Sequence, residues 1–444
     1  GMVTSPFLGY TSTSTGEGLS WAMEGFVNDY GIAKMGRALY ARTGKKRYRE
    51  ESAYFLNRAR DYVDLFDTRV GFFQGRDAQG AWRLDPSEYD PRVWGYDYTE
   101  TNGWGFAFMV PQDSRGLANL YGGRGRLADR LDRYFATPET ALPRFAGSYR
   151  SVIHEMTEAR DVRMGMYGHN NQPAHHVIYR YDAAGQPWKA QANVREVLSR
   201  LYTGSEIGQG CLGDEDNGEQ SAWYVFSALG FYPLVMGSGE YAVGSPLFTK
   251  ATVHLENGKN LVVKAPKNSA RNVYVQGLRV NGRVWTSTSL PHALIARGGV
   301  LDFDLGPRPS AWGTGKNAAP VSITRDDRVP SPRRDVLRGE GALFDNTSTT
   351  EATVTSTDLP VAGRTKAGQY TLTSPADRTL APTGWRLEAS EDGTHWTTLD
   401  RRAGEPFTWD RQTKVFSIPH PASYPHYRLV LNRKSTLAEV ELLA

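Results

Sequence analysis

Three short segments of the 444-residue chain hold more polar groups than their apolar surroundings require: Tyr98-Thr-Glu-Thr-Asn-Gly-Trp104, Gly168-His-Asn-Asn-Gln-Pro173 and Gly213-Asp-Glu-Asp-Asn-Gly218. Their glycines and proline mark them as loops. Glu100 stands among Trp94, Tyr96, Tyr98, Trp104, Phe106 and Phe108. A carboxyl desolvated by such rings has a raised pKa and serves as a general acid; the same residue also suits a helix start or a surface ion pair. Asp214 and Asp216 precede the apolar run Ala222–Leu229, where helix amides and dipole favour the ionised form that a general base needs. Asn217 followed by Gln220 is equally a capping box, and acids gather at helix starts for stability alone.

The metal-binding readings divide. Asp214 to Gly218 is no EF-hand, because glycine falls at the fifth place of the loop and Val225 at the twelfth. His169, His175 and His176 do not form the zinc-helix pattern, and read as core or substrate-contacting histidines. Asn171 and Gln172 offer hard amide and main-chain oxygens beside Pro173, chemistry that suits calcium better than zinc.

These loops need elements to hold them. Apolar residues recur at helical spacing over 21–41 (Trp21, Met23, Phe26, Val27, Tyr30, Ile32, Met35), 47–66, 189–203 and 218–232. Residues 1–238 therefore read as a helical portion that carries all three loops. Short β-rich runs at 251–255, 260–264, 272–276 and 300–304 make 239–315 a strand region. Proline, glycine and arginine crowd 316–340, which reads as a linker. Residues 341–444 alternate with period 2, as in Trp385-Arg-Leu-Glu-Ala389 and Tyr427-Arg-Leu429, and form a candidate β-sandwich.

Composition narrows the classes. The length suits two or three domains, and no apolar run is long enough to span a membrane. A net charge of +4 with interspersed signs makes nucleic acid an unlooked-for partner. The single cysteine, Cys211, excludes an intrachain disulfide and a four-thiolate metal site.

Taken in order, Asn171-Gln-Pro-Ala-His-His176, Ala184-Gly-Gln-Pro-Trp188, Gly213-Asp-Glu-Asp-Asn-Gly218, Ser221 to Pro233, Gly244-Ser-Pro-Leu-Phe248 and Trp312-Gly313 resemble the signatures of glycoside hydrolase family 92, the calcium-dependent inverting exo-α-mannosidases. The resemblance implies a multi-domain α plus β chain: part of an (α/α)6 toroid, with strands returning to a β-sandwich. Glu100 matches the proton donor, and Asp214 and Asp216 the paired aspartates, one of them the base. In an inverting enzyme such carboxyls stand roughly 6.5–9.5 Å apart. Calcium is implied near Asn171 and Gln172, on the mannose 2- and 3-hydroxyls. Substrate contacts fall to His169, Asn170, Trp104 and Trp188. Further implications are a mannose-containing glycan as partner, an extracellular or periplasmic location, and an N-terminal sandwich and first toroid helices lying outside these residues.

Departures accompany the match. Thr101 replaces a glycine, Gln112 a histidine, and Asn170 the glutamate that marks α-1,2-specific members, so no linkage is inferred. A catalytically silent carbohydrate binder and an enzyme for phosphate-linked mannose remain alternatives. The tail resembles a discoidin or coagulation-factor type C module of the galactose-binding-like fold, through Leu343-Phe-Asp-Asn-Thr-Ser348, Tyr370-Thr-Leu-Thr-Ser374 and Trp385 to Trp396. It implies a second glycan site or a structural role.

Overall fold

The computed structural model describes residues 1, 3–202 and 210–444. Its first half is helical, built on α1 (Gly18–Thr43), α2 (Lys46–Arg58), α3 (Ser114–Leu120), α4 (Arg124–Ala136), α5 (His154–Val162), α6 (Pro187–Arg200) and α7 (Glu219–Leu229). Position 203, where the periodicity places the end of α6, lies outside the described residues. In α1 the buried face is Leu19, Met23, Phe26, Tyr30 and Ala33, spaced three or four apart. Trp21 and Met35 lie on the other face, 66% and 58% exposed, so the apolar set read from the sequence covers two faces rather than one. Gly44, at φ 66°, ends α1 by returning its N–H to the Tyr40 carbonyl. Gly36 lets α2 pack closely against α1, since a Cβ there would stand 3.0 Å from the Tyr48 carbonyl.

The helices surround an aromatic core in which Tyr62, Phe73, Phe108, Tyr134, Tyr167, Tyr179, Tyr181 and Trp223 are fully buried. Edge-to-face contacts such as Phe108 on Tyr134 and Phe72 on Trp104 order it. The strand region holds two sheets. β1 (Phe231–Tyr232), β2 (Glu240–Val243) and β7 (Ser289–Pro291) form a small antiparallel one. β3 (Lys250–His254), β4 (Asn260–Lys264), β8 (Gly299–Gly306), β5 (Tyr274–Val280) and β6 (Arg283–Trp285) form a five-stranded one in that order, with β4 and β8 parallel. Leu261, Val263, Val275, Leu278, Leu301, Phe303 and Leu305 line its buried face, in period 2 along β4 and β8 and with a register shift between Val275 and Leu278 in β5.

The tail is a β-sandwich. Four antiparallel strands, β9 (Ala352–Leu359), β14 (His426–Leu437), β11 (Gly384–Ser390) and β12 (Trp396–Ala403), face a three-stranded sheet of β13 (Thr413–Ser417), β10 (Gln369–Thr373) and β15 (Glu439–Leu443). Tyr370, Trp385, Leu387, Leu429 and Leu442 fill the space between them.

Residues 316–340 contain no helix or strand, yet they are no free tether. Ser322 and Thr324 bond to the Asp113 carboxylate, Asn119 donates to the Asp326 and Arg328 carbonyls, and Arg334 pairs with Asp61 and Asp64. Prolines keep this strap extended along the surface while side chains clamp it. The tail is docked as well. Glu50 of α2, almost wholly buried, holds Arg402 at 2.7 Å and accepts the Ser417 N–H at 3.0 Å, beside the Tyr54, Val415 and Leu443 contact.

Removing one member of a buried ion pair strands the other without its solvation. Arg402→Ala is therefore expected to cost about 3–5 kcal/mol in denaturant unfolding, and Glu50→Met with Arg402→Met to recover much of it. Loss under 1 kcal/mol for Arg402→Ala would show that the pair does not hold the tail.

Candidate active site

The loop that carries Glu100 is closed by a backbone bridge between Trp94 and Asn102. Asn102 then caps the short helix Gly103–Phe106, its side-chain oxygen accepting from the Trp104 and Gly105 amides at 3.0 and 3.2 Å. Glu100 occupies the apex with φ 52°, and its N–H donates to the Tyr149 hydroxyl at 2.7 Å. The side chain is exposed. The expectation of a carboxyl desolvated by surrounding rings fails here for a simple reason. Trp94, Tyr98, Trp104, Phe106 and Phe108 turn inward to pack on one another, while the left-handed backbone turns Glu100 outward.

The second and third loops meet this apex. The Asn171 amide donates to Glu100 Oε2 at 2.8 Å, and the neighbouring Gln172 amide donates to Asp216 Oδ2. Two adjacent side chains thus bridge two carboxylates that stand 116 positions apart in the chain. The Asn171 oxygen accepts the Gln172 N–H at 2.9 Å and starts the single turn Gln172–Ala174, with Pro173 as its second residue. Both amides present nitrogen, not oxygen, to the carboxylates; a half-turn of either amide group reverses that. Among the described residues no three His, Cys, Asp or Glu side chains converge as a metal-holding group.

Asp216 and Asn217 are both left-handed, at φ 54° and 57°, followed by Gly218 at 103°. The capping box expected from Asn217 and Gln220 does not form. Gly218 is the N-cap of α7, and Glu215 does the capping, accepting from the Gly218 N–H at 2.6 Å and from the Ser221 N–H and hydroxyl at 3.2 and 2.7 Å. Those bonds, led by the Ser221 hydroxyl, hold the Glu215 carboxyl below its usual range. Asp216 moves the other way, above the usual aspartate range. Lost hydration leads, followed by repulsion from Asp214, Glu219 and Glu100. Gln220 is fully buried and donates to the His169 carbonyl at 3.0 Å.

Behind the carboxylates, Glu219 accepts at 2.7 Å from His175, whose other ring nitrogen faces the His169 carbonyl at 2.9 Å. The second Glu219 oxygen is buried with no bonding group, and none of the four acids forms a salt bridge with Lys or Arg among the described residues. Reading the sequence missed Glu219 and Glu215; an acid in the first turn after Gly218 was the available signal for the former.

The four expected substrate contacts lie in different surroundings. His169, read from the sequence as core or substrate-contacting, is fully buried between Tyr167 and Tyr202, with the Trp223 ring 4.4 Å from its ring centre, and burial holds it well below the usual imidazole range. Trp104 lies in the core beneath the Arg130 guanidinium and against Phe72. Trp188 opens α6 three residues past Gly185, which abuts Arg124, and does not line the hollow under Glu100. Asn170 does line that hollow, a dent of about 20 Å³ shared with Asn171 and Met166, and its amide oxygen there is buried without a donor. Room for one water fits that volume.

A family model described as the glycosyl hydrolase family 92 catalytic domain matches residues 1–307. A family GH92 α-mannosidase from Bacteroides thetaiotaomicron, also solved with mannoimidazole, is 32% identical; the alignment covers 74% of this chain and 40% of that one, with a TM-score of 0.64. A family GH92 inverting mannosidase from the same organism is 38% identical over 71% of this chain and 41% of its own, with a TM-score of 0.61. An uncharacterized secreted glycosidase of Arthroderma benhamiae is 26% identical over 327 residues, 70% of this chain and 38% of that protein. The chain thus spans about 40% of the length of the relatives it matches.

Asp214 contributes repulsion that raises Asp216. Asp214→Asn removes it, so the Asp216 titration, followed by carboxyl carbon NMR, should shift toward lower pH. An unchanged or upward-moving titration would separate the two aspartates electrostatically.

Proposed function

Because the chain belongs to glycosyl hydrolase family 92, we propose that it carries the acid and base of an exo-acting α-mannosidase that removes terminal mannose from glycans with inversion and calcium assistance. The observation that carries this reading is the bridge from Glu100 through Asn171 and Gln172 to Asp216. It holds two carboxylates in one site without a bond between them, the arrangement in which one protonates the leaving oxygen and the other activates water.

In this mechanism Glu100, on an exposed apex, gives its proton to the glycosidic oxygen, which leaves with the aglycone. Asp216 takes a proton from the water that attacks the opposite face of the anomeric carbon. Its raised affinity for protons, from lost hydration first and then from Asp214 and Glu219, strengthens it as a base once ionised. Asn171 and Gln172 orient both groups. The product leaves with inverted configuration.

Support for calcium comes from the donor types rather than from a converged acid cluster: a buried Glu219 oxygen lacks a bonding group, and Asn171 and Gln172 bring amide oxygens within a half-turn. Asn171 and Gln172 would hold the ion with main-chain oxygens and water, and when bound it supplies positive charge for the sugar hydroxyls. The tail adds a second glycan contact. An extracellular or periplasmic setting accords with the relative named as secreted; among the described residues no helix is long and apolar enough to cross a membrane. A second reading, glycan binding without hydrolysis, is favoured by the shallowness of the dent at Glu100.

Glu100→Gln and Asp216→Asn are each expected to lower kcat on aryl or natural α-mannosides by about 10²–10⁴, with unchanged thermal unfolding. Activity that survives both changes overturns the assignment, and mannoside binding with no mannose released in calcium supports the second reading. Chelation with EGTA should abolish mannose release and added calcium restore it. Proton NMR of the first product should show the β anomer; the α anomer would exclude inversion.

A further inference from the structure

A second cleft, of about 1060 Å³, shares no lining residue with the hollow under Glu100. One wall is the Tyr30 and Lys34 stretch of α1 together with α3 and the start of α4; the other is the strap from Lys316 to Asp327. That strap lies beyond the stretch matched by the family model.

Its charge is one-sided. Lys34, Arg115, Arg124, Lys316 and Arg325 line it against two carboxylates, Glu240 and Asp327. Both acids are already engaged: Asp327 with the Arg115 guanidinium at 2.5 Å, and Glu240 with the Ser289 hydroxyl. Arg124 is the most telling of the cations. Its Nε donates to the Ala183 carbonyl at 3.1 Å, while one terminal nitrogen is buried with no acceptor. A buried guanidinium N–H without a bond is costly unless something fills the place. That terminal nitrogen packs against Gly185, at φ 77°, where a Cβ would stand 2.2 Å from it. Burial first, and the neighbouring Arg115 charge second, pull the Arg124 pKa down. Beside it Gly122 and Gly123 lead into α4, a 13-residue helix that begins without a side-chain cap. Bare backbone there admits close approach of a ligand to the first amides.

We propose that this cleft binds a phosphate group, free or as a phosphate monoester, between Arg124, Lys34 and the strap cations Lys316 and Arg325. A dianion with tetrahedral oxygens matches forked guanidinium donors and ammonium groups offered from both walls of the cleft. The strap is held by bonds of Ser322 and Thr324 to Asp113 and of Asn119 to strap carbonyls, so the two walls stand in place before a ligand arrives. Ligand binding there should steady the strap against the helical portion, at a distance from the sugar chemistry.

The test is calorimetric titration of the whole chain with inorganic phosphate, ionic strength held constant with chloride. Saturable binding is expected, weakened roughly tenfold or more by Arg124→Gln and by Arg325→Gln, and untouched by Lys267→Gln, which lies outside the cleft in the turn after β4. Thermal unfolding in chloride checks that each variant folds; should Arg124→Gln fail, Lys316→Gln and Arg325→Gln, both exposed on the strap, carry the test. Heat no greater than that of chloride, or affinity unchanged in the folded variants, overturns the proposal. Competition by a hexose 6-phosphate identifies the monoester as the ligand; binding of inorganic phosphate alone identifies the free anion.

Discussion

A buried carboxylate without a salt bridge to Lys or Arg must satisfy its oxygens with hydrogen bonds or forfeit several kcal/mol, about 2–7 for even a neutral polar group. Asp113, wholly inaccessible, meets that demand by gathering separate segments. Tyr62, the Gly116 amide, the Ser322 hydroxyl, and the amide and hydroxyl of Thr324 all donate to it. Next to it Ser114 accepts from Arg180, a fully buried guanidinium that also donates to the Phe108 carbonyl at 2.7 Å and is pushed down to about 9 by burial. The helical core, the start of α3 and the strap are thereby fixed at one point. From that point the strap runs to Arg334 and on to the tail, so one acid fixes a wall of the basic cleft while the Glu50–Arg402 pair docks the β-sandwich.

The elements were legible because periodicity reports which residues share a face. The alternations at 260–264 and 385–389 lie inside strands, and the spacing in 21–41 lies inside a helix. Periodicity did not distinguish the buried face of α1 from the one bearing Trp21 and Met35, since both are apolar. The three polar loops converge, as their shared excess of polar groups suggested. Their inner arrangement was not legible. Asp214, Glu215 and Asp216 are acids in succession, and only the left-handed backbone from 216 to 218 decides that Glu215 folds back onto the helix amides while Asp216 faces Gln172.

Aromatic density misled at Glu100. The rings around it reported their own burial and left the carboxyl exposed. The tail interface could not have been read at all: Glu50 and Arg402 are 352 positions apart, and neither lies in a pattern that names the other. Composition assigned 316–340 to a linker for its prolines and glycines. Those residues serve equally a segment that must stay extended under a set of clamps.

Glu100 and Asp216 share one more property. Both hold a backbone conformation that side chains with a Cβ resist, at roughly 1–2 kcal/mol each. Glycine at either position would fold at least as comfortably and would remove the carboxyl. Robustness and work thus pull in opposite directions at these two turns, because the backbone that aims the bridged carboxylates is one that glycine would occupy more comfortably.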